Sequence, residues 1–264
     1  MLFETAGNRD NPLIVMINGS FTTGNGFANF AEKYLKDDFY VVAPTYDGHH
    51  EGGTVFDSRK GQAAKILQWL KSEGFTNIAV LQGLSMGAEV AVELMHLISQ
   101  DGTITVNRCL FDGGPFFAFP AGFRKLMYFK FKGFLDSGKK KGTEELMHNR
   151  MVRWMMGDDM DKYLDSMMDV FGTIPVQLIT DETIRNETEA CYTFDFPGFS
   201  EEEQKKFVFS WSVNEPAAKS RKKIREHYPY AVYKTPGALG HSGFMIKEPE
   251  KYARVLRRLA CGKK

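Results

Sequence analysis

The stretch AVLQGLSMGAEVAVELM, Ala79 to Met95, sets a serine between two glycines where an apolar run meets a helical pattern. Few folds accommodate this. The run before the serine has the composition of a strand buried on both faces. The helical pattern begins at once after it, so Gly83-Leu84-Ser85-Met86-Gly87 must turn the chain sharply. Small residues two positions either side of Ser85 let strand and helix pass closely. Such a turn projects a hydroxyl from the carboxyl end of a sheet, toward the free N–H groups of the following helix. A plain turn residue or N-cap is the simpler reading of Ser85. The strand before and the helix after favour a G-x-S-x-G nucleophile.

The same alternation runs along most of the chain. Leu13–Ile17, Phe39–Pro44, Asn77–Gln82, Asn107–Asp112, Lys206–Val213 and Tyr230–Thr235 read as strands. Helical spacing joins Phe27, Phe30, Ala31 and Tyr34, then Ala63, Ile66, Leu67 and Leu70. After the serine it joins Ala88, Ala91, Val92, Met95 and Ile98, and after Pro249 it joins Tyr252, Val255, Leu256 and Leu259. This pattern predicts an α/β fold: a mostly parallel sheet with helices on both faces. The alternation breaks between Pro115 and about Phe199, a region that holds eight of the 13 methionines, from Met127 to Met168. It reads as a helical insertion. Met147, Met151, Trp154 and Met155 share one helical face, and Leu164, Met167 or Met168, and Phe171 share another. Helix packing explains such stripes; an adaptable cover for an apolar substrate is the sharper reading.

At 264 residues the chain is long enough for one large core, here expected to comprise 1–114 and 200–264, with 115–199 as the cap. Lys+Arg and Asp+Glu total 34 and 33, which gives no reason to expect nucleic acid as a partner. The basic run Lys219–Arg225 reads as the solvated face of a helix. Cys109, Cys191 and Cys261 lack metal-ligand spacing and cannot make a disulfide framework, so no metal or cofactor is expected. No secretory signal and no membrane-spanning run is apparent. A cytoplasmic location and a small-molecule ester partner are the expectations; a homodimer is allowed, and the sequence fixes no oligomeric state.

A serine hydroxyl needs a base. His241 lies in PGALGHSGF, a glycine-rich loop directly after the last strand, and is the leading candidate among His49, His50, His96, His148, His227 and His241. The base needs an orienting carboxylate. Glu215 sits just past a strand end, where catalytic residues collect in open parallel sheets. Asp195 and then Asp181 are its rivals, and Asp112, at the end of the fourth strand, could border the site. An oxyanion needs convergent donors. The N–H of Met86 is one, and the N–H of Ser20, in MINGSF, is the natural second, with Phe21 as the alternative. Phe21, Phe116, Phe117, Phe119 and Met155 are candidates to line an apolar substrate pocket.

Together these motifs resemble the alpha/beta-hydrolase superfamily, over Pro12 to Leu259 apart from the insertion. Ser85 matches its nucleophile elbow, Glu215 the acid after the penultimate core strand, and His241 the base after the last. Asn18-Gly19 stands where many members have His-Gly. Tyr46-Asp47-Gly48-His49 resembles their D-x-x-G-H-G segment. The insertion falls where the family carries its lid. The resemblance implies a serine esterase with a reduced sheet of about six strands, the usual first two being missing. Thioester, amide or carbon–carbon cleavage with the same triad is the alternative, and a non-catalytic ligand-binding module is a second.

Overall fold

The computed structural model describes residues 1–142, 146, 148–157, 159–171 and 174–262, with backbone only for Met160, Asp161, Met168, Val170 and Phe171. Its centre is a sheet of β1 (Leu2–Ala6), β2 (Leu13–Ile17), β3 (Tyr40–Thr45), β4 (Asn77–Leu84), β5 (Thr105–Asp112), β6 (Phe207–Ser210) and β7 (Val232–Lys234). The spatial order is β1-β3-β2-β4-β5-β6-β7. β1 runs antiparallel to β3, and every other pairing is parallel. All residues of β2 and β3 are buried, as the continuous apolar runs require of strands covered on both faces.

The sheet has seven strands among the described residues, one more than the sequence suggests. The addition is β1. LFETA carries two polar residues in five and pairs with a neighbour on one side only. It therefore lacks the apolar run that marks the inner strands. Phe3 anchors it by stacking on Trp69, with ring centroids 4.0 Å apart.

Alternate residues of each inner strand feed two cores. Leu13, Val15 and Ile17 pack with α2 (Arg59–Ser72) and α3 (Met86–Asp101). Ile14 and Met16 pack with α1 (Asn25–Tyr34) and residues of the C-terminal helix, Pro249–Ala260. The first core runs into an aromatic group around Phe209, whose ring lies 4.9 Å from Phe111, 5.6 Å from Phe116 and 5.8 Å from Trp211. Phe209→Ala is expected to cost about 3–5 kcal/mol of stability, read as a lower denaturation midpoint in urea with an unchanged slope.

Between β5 and β6 the chain leaves the sheet for α4 (Ala121–Lys141), α5 (Arg150–Met156), α6 (Leu164–Phe171) and α7 (Asp181–Tyr192). The insertion is closed at its neck. Phe119 N–H donates to the Tyr192 carbonyl at 2.9 Å, and Phe194 N–H to the Phe117 carbonyl at 2.8 Å. Met156 and Met167 are buried in the second core, whereas Trp154 is exposed. The predicted face shared by Met151, Trp154 and Met155 is thus not uniformly inward. Met147 and the side chains of Met168 and Phe171 lie outside the described residues. The chain then continues through α8 (Glu201–Gln204), α9 (Arg221–His227), α10 (Gly243–Lys247) and α11 (Pro249–Ala260). Among the described residues, no helix is long and apolar enough to cross a membrane.

Candidate active site

Strand register assembles the site. Ile17 pairs with Gly83, Leu84 with Asp112, and Asp112 with Ser210. Four carboxyl ends therefore finish at one level. β2 lies between β3 and β4, so connections depart in opposite directions there and leave a crevice.

Ser85 stands at that crevice, half-buried, with φ 58° and ψ −128°. This is strained backbone for a residue with a side chain. The two glycines that flank it have no room for a Cβ. One on Gly83 would sit 2.3 Å from the Gly87 carbonyl oxygen, and one on Gly87 would sit 2.2 Å from that of Ile17. The turn is held by Ser85 N–H donating to the Asp112 carbonyl at 2.8 Å.

His241 Nε2 lies 2.9 Å from Ser85 Oγ. The loop that carries it is fixed from two sides. Gly240 N–H donates to Asn214 Oδ1 at 3.1 Å, and His241 N–H donates to the Met155 carbonyl at 2.8 Å. Met155, a candidate pocket residue, thus supports the imidazole through its backbone. On the other side of the ring, Nδ1 is 3.7 Å from Glu215 Oε1. That is an ion-pair distance, longer than a hydrogen bond. Glu215 is buried, and its second oxygen accepts from Ser212 N–H at 3.0 Å. Burial lowers the His241 pKa, but the Glu215 carboxylate, aided by Asp112, outweighs it and leaves the imidazole above its ordinary value.

The rivals for the acid are engaged elsewhere. Asp195 meets Lys60 at 2.6 Å and Arg59 at 3.2 Å, and Asp181 meets Lys132 at 2.6 Å. Asp112 is different. It is buried at the end of β5, beside the Glu215–His241 pair, and burial with the Glu215 charge pushes its carboxyl up to about 7. A carboxyl raised above its unfolded value favours the fold below that value and loses this contribution as pH rises through the folded pKa. Asp112→Asn is therefore expected to raise Tm at pH 8.5 relative to wild type, with the gain shrinking toward pH 5.

The turn after β2 lies against the serine: a Cβ on Gly19 would be 3.1 Å from Ser85 Cβ. Asn18 Nδ2 staples this turn by donating to the Thr22 carbonyl at 2.7 Å, and the Tyr46 hydroxyl donates to the Asn18 carbonyl at 2.8 Å. Ser20 Oγ touches Met86 Sδ and Cys191 Sγ, each at 3.4 Å. The Phe21 N–H, the alternative oxyanion donor, is occupied: it donates to Glu187 Oε2 at 3.0 Å.

Two pocket candidates are structural. Phe116 is fully buried, 4.9 Å from Phe194 within the aromatic core, because the chain turns its ring inward at φ 43°. The Phe21 ring is also buried, edge-on to Phe131 at 5.4 Å. Phe117 is half-buried and packs on Phe119 at 4.8 Å. An open basic groove of about 520 Å³ by Lys219 and Arg225 lies away from the serine. So does a cleft of about 290 Å³ behind β6, between Leu110 and Tyr252. The chemistry of the Ser85 cluster, not concavity, locates the site.

His49 is one of the five histidines that compete with His241 for the role of base in the sequence. It is fully buried and lies 2.7 Å from Glu187 Oε1 on α7. Glu187 is the residue that sequence reasoning missed. Its signal was available: in DETIRNETEACY it shares the inward stripe of Thr183, Ile184, Thr188 and Cys191, where a carboxylate is out of place.

No family model and no curated protein matches this chain. Solved structures do. An alpha/beta hydrolase family protein from Desulfitobacterium hafniense superposes with a TM-score of 0.75 at 20% identity, covering 98% of this chain and 99% of that one. An esterase from Exiguobacterium antarcticum gives 0.72 at 14% identity, covering 98% and 94%. A bromoperoxidase from Bacillus anthracis gives 0.72 at 15%, covering 97% and 94%. These likenesses show that the chain has the alpha/beta-hydrolase fold.

Proposed function

We propose that this chain, built on the alpha/beta-hydrolase fold, is a serine hydrolase. Its substrate is a carboxylic ester of a small-to-medium, partly apolar molecule, cleaved through an acyl-enzyme. The observation that carries this reading is the 2.9 Å contact between His241 Nε2 and Ser85 Oγ on a strained strand-to-helix turn. In the first half-reaction His241 takes the Ser85 proton as Oγ attacks the ester carbonyl. The N–H groups of Met86 and Ser20 hold the oxyanion. The imidazolium then protonates the departing alcohol. In the second half-reaction His241 activates water against the acyl-enzyme. Glu215, 3.7 Å from the other ring nitrogen, steadies the imidazolium.

The insertion acts as the cap. Support comes from its two backbone and side-chain contacts with the machinery, Met155 to His241 and Glu187 to Phe21. Residues 1–114 and 200–264 act as the core that presents the triad.

The test is hydrolysis of p-nitrophenyl esters from acetate to dodecanoate. Turnover that varies with chain length and vanishes in Ser85→Ala supports ester cleavage and gauges the acyl pocket. A chain that hydrolyses no ester, yet still reacts at Ser85 with a phosphonate, points to a thioester, amide or carbon–carbon bond.

A further inference from the structure

We propose that Glu187, reaching in from the insertion, is a positioning residue for the oxyanion loop. Its carboxylate ties down the Phe21 N–H and so aims the Ser20 N–H at the site of the developing charge. The inference rests on the serine-hydrolase reading and deepens it: the cap helps to build the hole that stabilises the reaction.

The loop needs such a tie. Phe21 has φ 61°, in the left-handed region, which disfavours a bulky side chain. Its neighbours account for the rest of the turn. Asn18 holds Thr22, and Tyr46 holds Asn18. Neither touches the peptide between Ser20 and Phe21. That peptide is fixed by Glu187 Oε2, 3.0 Å from Phe21 N and fully buried. Rotation of this peptide would move the Ser20 backbone, whose N–H is the second oxyanion donor.

Glu187 is itself locked. Its other oxygen, Oε1, is 2.7 Å from His49 Nε2, with both side chains fully buried. His49 Nδ1 faces the Asp47 carbonyl at 3.1 Å. Both ring nitrogens therefore face oxygens, Glu187 Oε1 at ion-pair distance on one side and the Asp47 carbonyl on the other. A buried pair of this kind contributes little to net stability. Its value here is direction: one oxygen is committed to His49, so the other is held at Phe21.

The test compares Glu187→Gln with the double variant Glu187→Met/His49→Leu. Glutamine keeps the shape and an oxygen that can accept from Phe21 N–H, so the loop keeps its tie. The double variant removes both buried polar side chains together and leaves the Phe21 N–H without its acceptor. On a p-nitrophenyl ester, the double variant should lose roughly 10- to 100-fold in kcat, less than a deleted oxyanion donor, with KM changed by less than about threefold. Glutamine should restore kcat to within about threefold of wild type. Reaction with a fluorophosphonate should slow in parallel, because phosphonylation also needs the hole.

A double variant that folds with wild-type kcat overturns the proposal, as does a glutamine variant that is as slow as the double variant. A parallel rise of KM with unchanged kcat also overturns it. Should the double variant not fold, Glu187→Gln is compared with Glu187→Met alone, and equal phosphonylation rates overturn it. A wild-type chain that no phosphonate labels overturns the hydrolase reading itself and the positioning role with it. Labelled wild type with equally reactive variants overturns the positioning role alone.

Discussion

Ser85→Ala is expected to lower ester turnover by roughly a millionfold, to the rate given by the oxyanion donors and binding alone. The size of the loss follows from how the site is built. Ser85 Oγ meets the His241 ring at 2.9 Å, and the flanking glycines have no room for a Cβ. Alanine keeps the Cβ and the strained φ of 58°, so the fold should be untouched. Tm within a few degrees of wild type, measured beside the rates, separates lost chemistry from lost structure. His241→Ala should lose nearly as much, and combining the two should add little, because the proposed nucleophile and base would act as one unit.

Glu215→Gln carries the second large effect. The amide keeps the shape but not the charge, and kcat should fall by roughly 10²- to 10⁴-fold. The pH profile should move as well, and its sign is fixed. With His241 as the proposed base, its neutral form is the active one, so kcat/KM is expected to rise with pH through the pKa of the free enzyme's imidazole. Burial alone would set that pKa low; the Glu215 carboxylate raises it above its ordinary value of 6.5. The wild-type acidic limb should therefore lie above pH 6.5, and Glu215→Gln should shift it downward. Asp112 remains in the variant and continues to raise the pKa, so the shift is partial. A fall in kcat with a limb that stays in place would mean that Glu215 positions the ring without acting on its charge.

Much of this was legible because the local physics is severe. The elbow writes itself into the sequence, since a Cβ at Gly83 or Gly87 would collide with backbone at 2.3 and 2.2 Å. The inner strands are equally plain, because burial on both faces demands unbroken apolar runs. His241 is readable from the glycine loop that frees it from strand and helix. What escaped was set by tertiary context. β1 is an edge strand with Glu4 and Thr5, and so has no buried period. Phe116 and Phe117 look alike in sequence, yet only Phe116 turns into the aromatic core beside Trp211. The pairing of His49 with Glu187 spans 138 positions and depends on how the insertion seats, which no local spacing encodes.

The most direct test of the account is covalent. Wild type and Ser85→Ala would be incubated with a fluorophosphonate, and each adduct located by intact mass and peptide mapping. The account predicts one phosphonyl group per wild-type chain, on Ser85, and none on the variant. A wild-type chain that stays unlabelled, or that carries its adduct on another residue, would contradict it.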